Sequence, residues 1–514
     1  MKYDTMLVLD FGGQYSHLIA RRIREHGVYS ELVPQNTKKE QIIALDRKYN
    51  IKGLILSGGP ASVHESDAPK IDPNILSLNL PILGLCYGHQ LIARMTGGKV
   101  EPSKQREYGV AYVTIDKPSG ILKNLSNKQR VWMSHGDTVF SVPAEYEVLA
   151  HTENCPVAAF RHTEKPIYGL QWHPEVVHTE NGRQMLRNFV FDICKCRSNW
   201  KLEDVVEKAV KEIKMDLGDG KAIIALSGGI DSSVATVLAA RAINKRLTAV
   251  FVDHGFMRER EPEFVQETFQ EFNIDLMIID ARERFLNKLK GIVGPETKRK
   301  IIGEEFIRVF EEIAERTGAE YLVQGTIYPD RIESGFRKFS DKIKTHHNVA
   351  GLPLKMMFKK IIEPLRDLYK DEVRRVALML GLPKEIVFRQ PFPGPGLAVR
   401  IIGELTEEKI EIAKKTDKIA REEIEKSGLK ENLWQYFTVL TNNKATGVKG
   451  DARAYGYVVA VRVVESREAM TASFAEMPYT VLEKISTRIT NELPQVTHVV
   501  YDITHKPPAT IEWE

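Results

Sequence analysis

Short apolar runs alternate with amphipathic stretches along the first part of the chain. The runs Met6–Asp10, Gly53–Ser57 and Pro81–Leu85 are bounded by glycine or proline and predict buried strands. Helical segments follow the first and third runs, through Arg24 and about Met95. Strands that alternate with helices predict an open parallel α/β sheet, in which functional residues lie beyond the carboxyl ends of the strands.

The same alternation returns further along the chain. Residues 201 to 216 carry an apolar stripe at helical spacing and predict an amphipathic helix. Apolar runs at Ala222–Leu226, Leu247–Asp253, Asp275–Asp280 and Tyr321–Gly325 predict strands, with helical segments between them. The sequence therefore predicts a second doubly wound parallel α/β unit.

The pattern changes after the proline- and glycine-rich stretch Gln390–Ala398, where helix is blocked and a domain boundary is expected. Beyond it, Leu433–Leu440, Ala454–Val464 and Val496–Ile503 predict strands, and Tyr479–Leu493 predicts a helix. We expect a small α+β domain of the kind that pairs across a two-fold axis. The predicted domains are residues 1–195, 196–390 and 391–514.

Size and composition narrow the class of protein. A chain of 514 residues is too long for one core, and 43% hydrophobic with 28% charged residues is ordinary for a globular protein. The net charge of +4 is too weak and too diffuse to indicate a nucleic-acid partner. There is neither an apolar signal core nor a run of 18 apolar residues, so we expect a cytoplasmic protein without a membrane segment.

The four cysteines do not make a disulfide framework. Cys194 and Cys196 are one residue apart, and no histidine pattern accompanies them, so we do not expect a zinc site. Cys86 must be judged by its own surroundings.

One strand–turn–helix motif predicts a phosphate site. The run Ala222–Leu226 leads into a Ser-Gly-Gly turn, and a helix follows through Ile243. Adjacent glycines let backbone N–H groups converge, and the helix N-terminus adds partial positive charge. No Gly-Lys-Ser/Thr closes the turn, so it is not a Walker loop. A plain connecting loop is the alternative for the three turn residues alone. The candidate residues are Ser227, Gly228, Gly229, Ile230, Asp231, Ser232 and Ser233.

A second motif of this kind surrounds Cys86, which lies in Gly84-Leu85-Cys86-Tyr87-Gly88 at a predicted strand end. Gly-x-Cys-x-Gly is the cysteine form of a nucleophile elbow, and a following helix favours the thiolate. A buried structural cysteine is the alternative. A nucleophile needs a base and an orienting group, and the turn His173-Pro174-Glu175 offers both.

These motifs resemble two enzyme families. Ser227–Ser233 resembles the pyrophosphate loop of the ATP pyrophosphatases, which implies ATP as cosubstrate and Asp231 near Mg²⁺. Cys86, His173 and Glu175 resemble the catalytic triad of class I glutamine amidotransferases. That resemblance covers most of residues 5 to 190 and implies an oxyanion hole and a glutamine pocket. The implied residues are Gly58, Gly59, Tyr87, Gln90, Ser134, His135, Gly136 and Asp137.

The segment from Gly335 to Pro353 is long for a loop in a compact domain and is expected to be a functional lid. Lys344 within it is a candidate for the ATP phosphates, and Asp330 and Glu333 before it are candidates for Mg²⁺. A solvated loop is the alternative, and a metal site at His346 and His347 is a weaker one. Arg299 is a further anion-binding candidate, unless it belongs to the charged start of a helix Glu304–Arg316.

Over its full length the chain resembles the family of glutamine-hydrolysing GMP synthetases. The resemblance includes the lid string Ile-Lys-Thr-His-His-Asn and the final Lys-Pro-Pro-Ala-Thr-Ile-Glu-Trp-Glu. It implies that glutamine, XMP and ATP give GMP, AMP, pyrophosphate and glutamate. It further implies XMP contacts from Lys506, Ile511 and Glu512 and a homodimer through the C-terminal domain. For the last nine residues, the alternative is a tail that only docks Trp513 into the core.

Two alternatives of other classes are weaker. A tRNA-modifying pyrophosphatase would leave Cys86, His173 and Glu175 unexplained and would need a basic RNA-binding domain. A non-catalytic regulatory protein on the same folds would be expected to have lost its triad or its loop, and both are complete here.

Overall fold

The computed structural model describes residues 2–272, 274–336, 358–466 and 471–514. Contacts between residues divide the chain into two compact units. The first is built on Met1–Asp204, and the second begins at Val205 and contains both the predicted second α/β unit and the C-terminal segment.

The first unit is built on one nine-stranded sheet of order β2-β1-β3-β4-β9-β8-β7-β5-β6. Strands β2, β1, β3, β4 and β9 are parallel, as the sequence predicts, whereas the remaining pairs are antiparallel. The antiparallel half was not predicted. Buried and exposed residues alternate along β6, whereas β1 is buried almost continuously, so β6 lacks the apolar run from which the parallel strands were predicted. The strands are β1 (Asp4–Asp10), β2 (Tyr29–Pro34), β3 (Asn50–Leu56), β4 (Ile82–Leu85), β5 (Lys99–Ile115), β6 (Lys128–Ser141), β7 (Tyr146–His151), β8 (Ala159–His162) and β9 (Ile167–Leu170).

Helices of the first unit follow several of the parallel strands. The helix after β4 begins directly at Tyr87, so the chain turns from strand to helix at Cys86 alone. The helices are α1 (Ser16–Glu25), α2 (Lys39–Leu45), α3 (Tyr87–Met95) and α4 (Gly182–Arg187).

The second unit contains a five-stranded parallel sheet of order β12-β11-β10-β13-β14, which confirms the predicted doubly wound arrangement. The central strand β10 is mostly buried and leads into the Ser-Gly-Gly turn. The strands are β10 (Ala222–Ala225), β11 (Leu247–Asp253), β12 (Asp275–Asp280), β13 (Tyr321–Val323) and β14 (Lys360–Ile362).

Several helices of this unit differ from the sequence prediction, and those at Tyr328–Phe336, Lys370–Met379 and Lys384–Val387 were not predicted. The helix expected from Glu304 begins at Pro295, because Gly294 serves as N-cap and proline suits the first helical turn. Arg299 therefore lies within a helix and not before one. The helix Glu407–Lys426 was not predicted at all. The helices are α5 (Leu202–Leu217), α6 (Ile230–Ile243), α7 (Glu261–Gln270), α8 (Arg282–Leu289), α9 (Pro295–Thr317), α10 (Tyr328–Phe336), α11 (Lys370–Met379), α12 (Lys384–Val387), α13 (Glu407–Lys426) and α14 (Tyr479–Glu492).

A second sheet of this unit is formed by β15 (Gln435–Lys449), β16 (Ala452–Glu465), β17 (Ser473–Phe474) and β18 (Val496–Tyr501). Strands β15 and β16 form a hairpin longer than the predicted strands, and β18 pairs with β16 in parallel. This is the predicted α+β architecture.

The proline- and glycine-rich segment is packed into the core of this unit. Gly396 has φ +63° and a Cβ there would lie 2.1 Å from the Phe256 oxygen, while the Leu397 amide donates to that oxygen at 2.7 Å. One apolar cluster contains Ile223 of β10, Leu397 and Val461 of β16. Because they share a core, the five-stranded parallel sheet and the C-terminal sheet form one compact unit. The domain boundary expected at residue 391 stays a prediction.

Candidate active sites

Cys86 occupies the turn between β4 and α3 with φ +50° and ψ −103°. A positive φ strains any residue with a side chain, so the surrounding structure must hold this turn. A Cβ on Gly84 would lie 2.5 Å from the carbonyl oxygen of Gly88, and a Cβ on Gly88 would lie 2.4 Å from that of Leu56. The strained turn predicted from the flanking glycines is therefore present, at the carboxyl edge of the parallel strands.

His173 and Glu175 form a buried pair beside this turn, with 2.6 Å between Nδ1 and Oε1. A Cβ on Gly58 would lie 3.0 Å from Cε1 of His173 and 3.6 Å from Cβ of Cys86, so Gly58 borders both side chains. Burial by itself would lower the pKa of His173, but Glu175 and Cys86 hold it well above its ordinary value. The imidazole therefore favours its protonated form beside the thiol, which is the arrangement that stabilises a thiolate.

The segment expected to bind glutamine lies next to Cys86. The Sγ atom of Cys86 is 3.4 Å from the carbonyl oxygen of Ser134. The Gln90 amide donates to the backbone oxygen of Asp137 at 2.8 Å, and the Ser62 hydroxyl donates to its carboxylate at 2.6 Å. The structure thus brings the predicted residues together and adds Ser62, which was not singled out because a lone serine in a loop carries no local signal.

The residues expected to form the oxyanion hole also lie at this turn. Tyr87 is the first residue of α3, and its hydroxyl donates to the Pro69 oxygen at 2.6 Å. Gly59 packs against the backbone of Phe11, where a Cβ would meet the Phe11 oxygen at 2.9 Å. The backbone at Gly58, Gly59 and Tyr87 can therefore approach Cys86 without interference from β-carbons at the two glycines.

The Ser-Gly-Gly turn of the second unit lies at the carboxyl end of the central strand β10. Gly228 has φ +72°, and Gly229 is the N-cap of α6, which begins at Ile230. The Ser232 hydroxyl donates to the Gly229 oxygen at 3.0 Å, and the Ser233 hydroxyl donates to it at 2.8 Å. Glycine conformation and serine hydrogen bonds thus hold the turn open at a helix N-terminus, where an anion is favoured.

Asp231 in the first turn of α6 pairs with a residue that the sequence did not reveal. The ammonium group of Lys370, at the start of α11, lies 2.5 Å from Oδ2 of Asp231, although the two residues are 139 positions apart. The other oxygen, Oδ1, is buried and has no hydrogen-bond partner. Arg389 also reaches the turn and donates to the Gly228 oxygen at 3.3 Å. The turn that lacks a Walker lysine therefore has a lysine supplied from another helix.

The three lid and metal candidates have different outcomes. Asp330 lies in the first turn of α10, and its carboxylate accepts a hydrogen bond from the Ile327 amide at 3.3 Å. Glu333 lies in the same helix, but its side chain is outside the described residues. The first two residues of the predicted lid, Gly335 and Phe336, end this helix, and Lys344 lies with the rest of the lid outside the described residues. Their roles stay predictions.

The final residues are held by buried cations. Arg400 is fully buried and donates to both carboxylate oxygens of Glu512, at 2.8 and 3.0 Å. Lys298 of α9 is fully buried and donates to the carboxylate of Glu514 at 2.6 Å. Arg299 donates to the backbone oxygen of Glu514. Arg299, which we grouped with the lid, therefore lies at the final residues.

The structure bears on the expected contact at Ile511 and on the alternative in which Trp513 docks the tail. The side chain of Ile511 is buried in an apolar cluster with Phe437 and Val464, so this side chain is not exposed to a ligand. Trp513 is 41% exposed and donates to Asp502 at 2.9 Å, so it is not the residue that docks the tail. Lys506 pairs with Ala472 through backbone hydrogen bonds.

Among the described residues, no cluster of three or more His, Cys, Asp or Glu side chains is arranged to hold a metal ion. The four cysteines, which include Cys194 and Cys196, are all free thiols. Across the same part of the chain, no helix has the length and apolar character needed to cross a membrane.

Comparison with known proteins agrees with this geometry. The model of class-I glutamine amidotransferases matches residues 7–193, that of the PP-loop domain matches residues 202–382, and that of the GMP synthase C-terminal domain matches residues 422–513. Three curated relatives match over 100% of both chains. They are the glutamine-hydrolysing GMP synthases of Caldicellulosiruptor saccharolyticus at 54% identity, Ruminiclostridium cellulolyticum at 52% and Geobacillus kaustophilus at 53%.

The fold and the two sites define a glutamine amidotransferase joined to an ATP-using PP-loop synthetase. More particularly, the chain belongs to the family of glutamine-hydrolysing GMP synthases. It is a ligase of purine nucleotide biosynthesis that hydrolyses glutamine to ammonia and uses ATP to adenylate XMP, giving GMP, AMP, pyrophosphate and glutamate.

Proposed function

We propose that Cys86, His173 and Glu175 release ammonia from glutamine. The Cys86 thiolate attacks the carboxamide carbon, and His173 donates its proton to the departing ammonia. Water then attacks the thioester, with His173 as the base, and glutamate leaves. Glu175 keeps the imidazole oriented and charged, as the 2.6 Å contact and the raised pKa of His173 support.

The backbone N–H groups at Gly59 and Tyr87 are assigned to the oxyanion that forms in this step, with Gly58 leaving room beside the thiol. Gln90 and the segment Ser134–Asp137 are assigned to glutamine recognition. The observation that supports this assignment is their contact with one another and with Cys86, at 2.8 and 3.4 Å.

In the second unit, we assign Ser227–Ser233 to the pyrophosphate that leaves ATP. The C2 oxygen of XMP attacks the α-phosphate, and ammonia then displaces AMP from the adenylated intermediate. Backbone N–H groups at the start of α6 and the ammonium of Lys370 are placed to stabilise the charge on the departing group. Lys370 thus takes the part of the lysine that this turn lacks.

Magnesium fits the carboxylate of Asp231. Mg²⁺ is commonly held by one or two carboxylates together with substrate phosphates, so a protein cage of three acids is not needed. The buried Oδ1 of Asp231 has no hydrogen-bond partner, which suits a cation ligand. When bound, Mg²⁺ would neutralise charge on the phosphates. Asp330 and Glu333 remain candidate ligands of this ion.

The observation that carries the whole assignment is the presence of two separate sites, a thiol–imidazole–carboxylate set in one unit and a phosphate turn in the other. The direct test is GMP formation with glutamine, XMP, ATP and Mg²⁺, each omitted in turn. Ammonium salts should replace glutamine and nothing else. Formation of GMP without ATP or Mg²⁺ would contradict the assignment.

We assign the XMP site to the tail, residues 506–514. In this assignment Lys506, Glu512 and Arg299 lie near the phosphate and base of XMP. The Ile511 backbone lies beside them. Arg299 offers a guanidinium at the tail, with its Nε buried and without a hydrogen-bond partner. A planar guanidinium is suited to a phosphate group. Glu512 is already held by Arg400, which fixes its carboxylate for a substrate contact.

Replacing Arg299 by alanine is expected to raise the XMP concentration needed for half-maximal rate by roughly tenfold or more, since a charge-assisted contact is lost. Arg308 lies on the same helix and pairs with Glu305 at 3.2 Å, so Arg308→Ala is the matched control. Steady-state kinetics with ammonium as nitrogen source measures both. An unchanged XMP requirement in a folded Arg299→Ala protein would show that XMP binds elsewhere.

Point substitution is a sharper test here than removal of the last nine residues. Deleting residues 506–514 would leave Lys298 and Arg400 buried without the carboxylates of Glu514 and Glu512, which is strongly destabilising. A truncated protein would therefore fail for structural reasons before XMP binding is tested.

We also propose a homodimer formed through the C-terminal domain. Large apolar side chains are exposed on its strands and tail, at Val448, Tyr455, Val500 and Ile503. A second copy of the same surface would cover them. Sedimentation equilibrium of the whole chain tests the stoichiometry, and a monomer at micromolar concentration would contradict it.

The three domains 1–195, 196–390 and 391–514 and a cytoplasmic location complete the proposal. Limited proteolysis near residues 195 and 390 tests the boundaries, and the free thiols of all four cysteines support a reducing compartment. Cell fractionation tests the location.

A further inference from the structure

The ladder between β5 and β6 is interrupted beside the segment expected to bind glutamine. Glu107 pairs in register with His135, but the next pair is Pro102 with Asp137, so the residues between Pro102 and Glu107 bulge out. Pro102 has no N–H to donate to its partner. The backbone oxygen of Asp137 is instead held by side chains, and this interruption makes its position depend on them.

Two side chains contact this oxygen. The amide of Gln90 donates to the Asp137 oxygen at 2.8 Å, and Nδ1 of His135 lies 2.9 Å from the same oxygen. The other ring nitrogen of His135 lies 3.0 Å from Oε2 of Glu107. Both ring nitrogens thus face acceptors, and both hydrogen bonds form together only when the ring carries two protons. The ring thus lies between a carboxylate and a carbonyl oxygen.

Both side chains of this pair are largely shielded from solvent. The side chain of His135 is 1% exposed and that of Glu107 is 10% exposed. Burial by itself would raise the pKa of Glu107, but hydrogen bonds from His135, Thr152 and Asn154 hold it below its ordinary value.

Two other titratable groups near this pair are neutral at pH 7. Burial lowers the pKa of His89 to about 3 and raises the pKa of Cys155 to about 12. Asp137 faces it through its backbone oxygen, and its carboxylate is bound by Ser62. Glu107 is therefore the carboxylate that meets the His135 ring.

We propose that Glu107 is a positioning residue for glutamine, which acts through His135 to fix the backbone of Asp137 at the pocket edge. It does not touch the reacting atoms at Cys86. A buried carboxylate–imidazole pair stabilises a strand only where its hydrogen bonds are close and complete, since burial of polar and charged groups is costly. The pair lies beside an interrupted stretch of the ladder, next to the segment assigned to glutamine. The proposal rests on the assignment of Cys86 and its surroundings to glutamine.

The test replaces Glu107 by glutamine, which keeps the shape and removes the charge, and by aspartate, which keeps the charge. With Glu107→Gln, the KM for glutamine is expected to rise by roughly tenfold, since a charge-assisted buried hydrogen bond is weakened, while kcat stays within a few-fold. Glu107→Asp should recover part of the loss. Glu101→Gln is the matched control, because Glu101 lies on the same strand and pairs with Lys99 at the surface.

Two alkylating probes separate recognition of glutamine from reactivity of the thiol. Iodoacetamide needs no recognition, so its rate of reaction with Cys86 should be the same in Glu107→Gln and in the unsubstituted protein. A chloromethyl ketone analogue of glutamine must bind the pocket first, so its rate should fall by about the factor found for KM. GMP formation from ammonium should be unchanged.

An unchanged KM for glutamine in Glu107→Gln would overturn the proposal. So would an equal loss with both alkylating probes, since it would show that Glu107 only supports the fold of this unit. If the glutamine analogue failed to label Cys86 in the unsubstituted protein, the assignment of the glutamine site itself would be wrong, which is a distinct outcome.

Discussion

Replacing Cys86 by alanine is expected to abolish GMP formation from glutamine and to leave GMP formation from added ammonium at the level of the unsubstituted protein. The thiol is the proposed nucleophile, and loss of a nucleophile in a triad lowers kcat by roughly 10⁴-fold or more. The strained turn at φ +50° holds the Cys86 thiol beside His173, as a nucleophile and its base require. Ammonium enters after the glutamine chemistry, so the synthetase reaction does not need the thiol.

The measurement is the rate of GMP formation with each nitrogen source at saturating XMP and ATP. Cys194→Ala is the matched control, because Cys194 is another buried cysteine of the same unit outside the proposed site. It should retain both activities. If a folded Cys86→Ala protein also lost synthesis from ammonium, the interpretation of two separate sites would be wrong.

Replacing Asp231 by asparagine is expected to lower adenylation of XMP by about 10³-fold with either nitrogen source, comparable to the loss of one strong electrostatic contact to a transition state. The substitution removes the carboxylate proposed to bind Mg²⁺ and leaves Lys370 without its partner at 2.5 Å. Basal glutamine hydrolysis at Cys86 should remain, because that chemistry belongs to the other unit.

Pyrophosphate release measured with ammonium and varied Mg²⁺ tests this expectation. Asp275→Asn is the matched control, since Asp275 is an exposed aspartate at the amino end of β12, the opposite end of the parallel strands from the turn. ATP turnover near that of the unsubstituted protein in Asp231→Asn would refute the assignment. Asp231→Asn and Lys370→Ala proteins that lost stability equally and kept their ATP and Mg²⁺ requirements would show that the pair is structural.

The sequence allowed the two strand–turn–helix motifs to be located because each is encoded within about ten consecutive residues. A short apolar run, closely spaced glycines and an apolar helix predicted the turns at Cys86 and at Ser227–Ser233, and the structure has both. The parallel strands of both units were predicted from the same local pattern, short apolar runs that alternate with helical segments. The start of α9 and the helix α13 were missed because their charged residues obscure the apolar stripe.

The sequence by itself therefore determined the class of fold and the two strand-to-helix turns at Cys86 and at Ser227–Ser233, since glycine conformation and hydrophobic periodicity act over short stretches of chain. Only the tertiary structure decided which distant residues complete these sites. Lys370 reaches Asp231 across 139 positions, Arg400 holds Glu512 across 112, and Glu107 meets His135 across an interrupted ladder. Such contacts between charged side chains depend on sheet order and on burial, and no local pattern of residues contains that information.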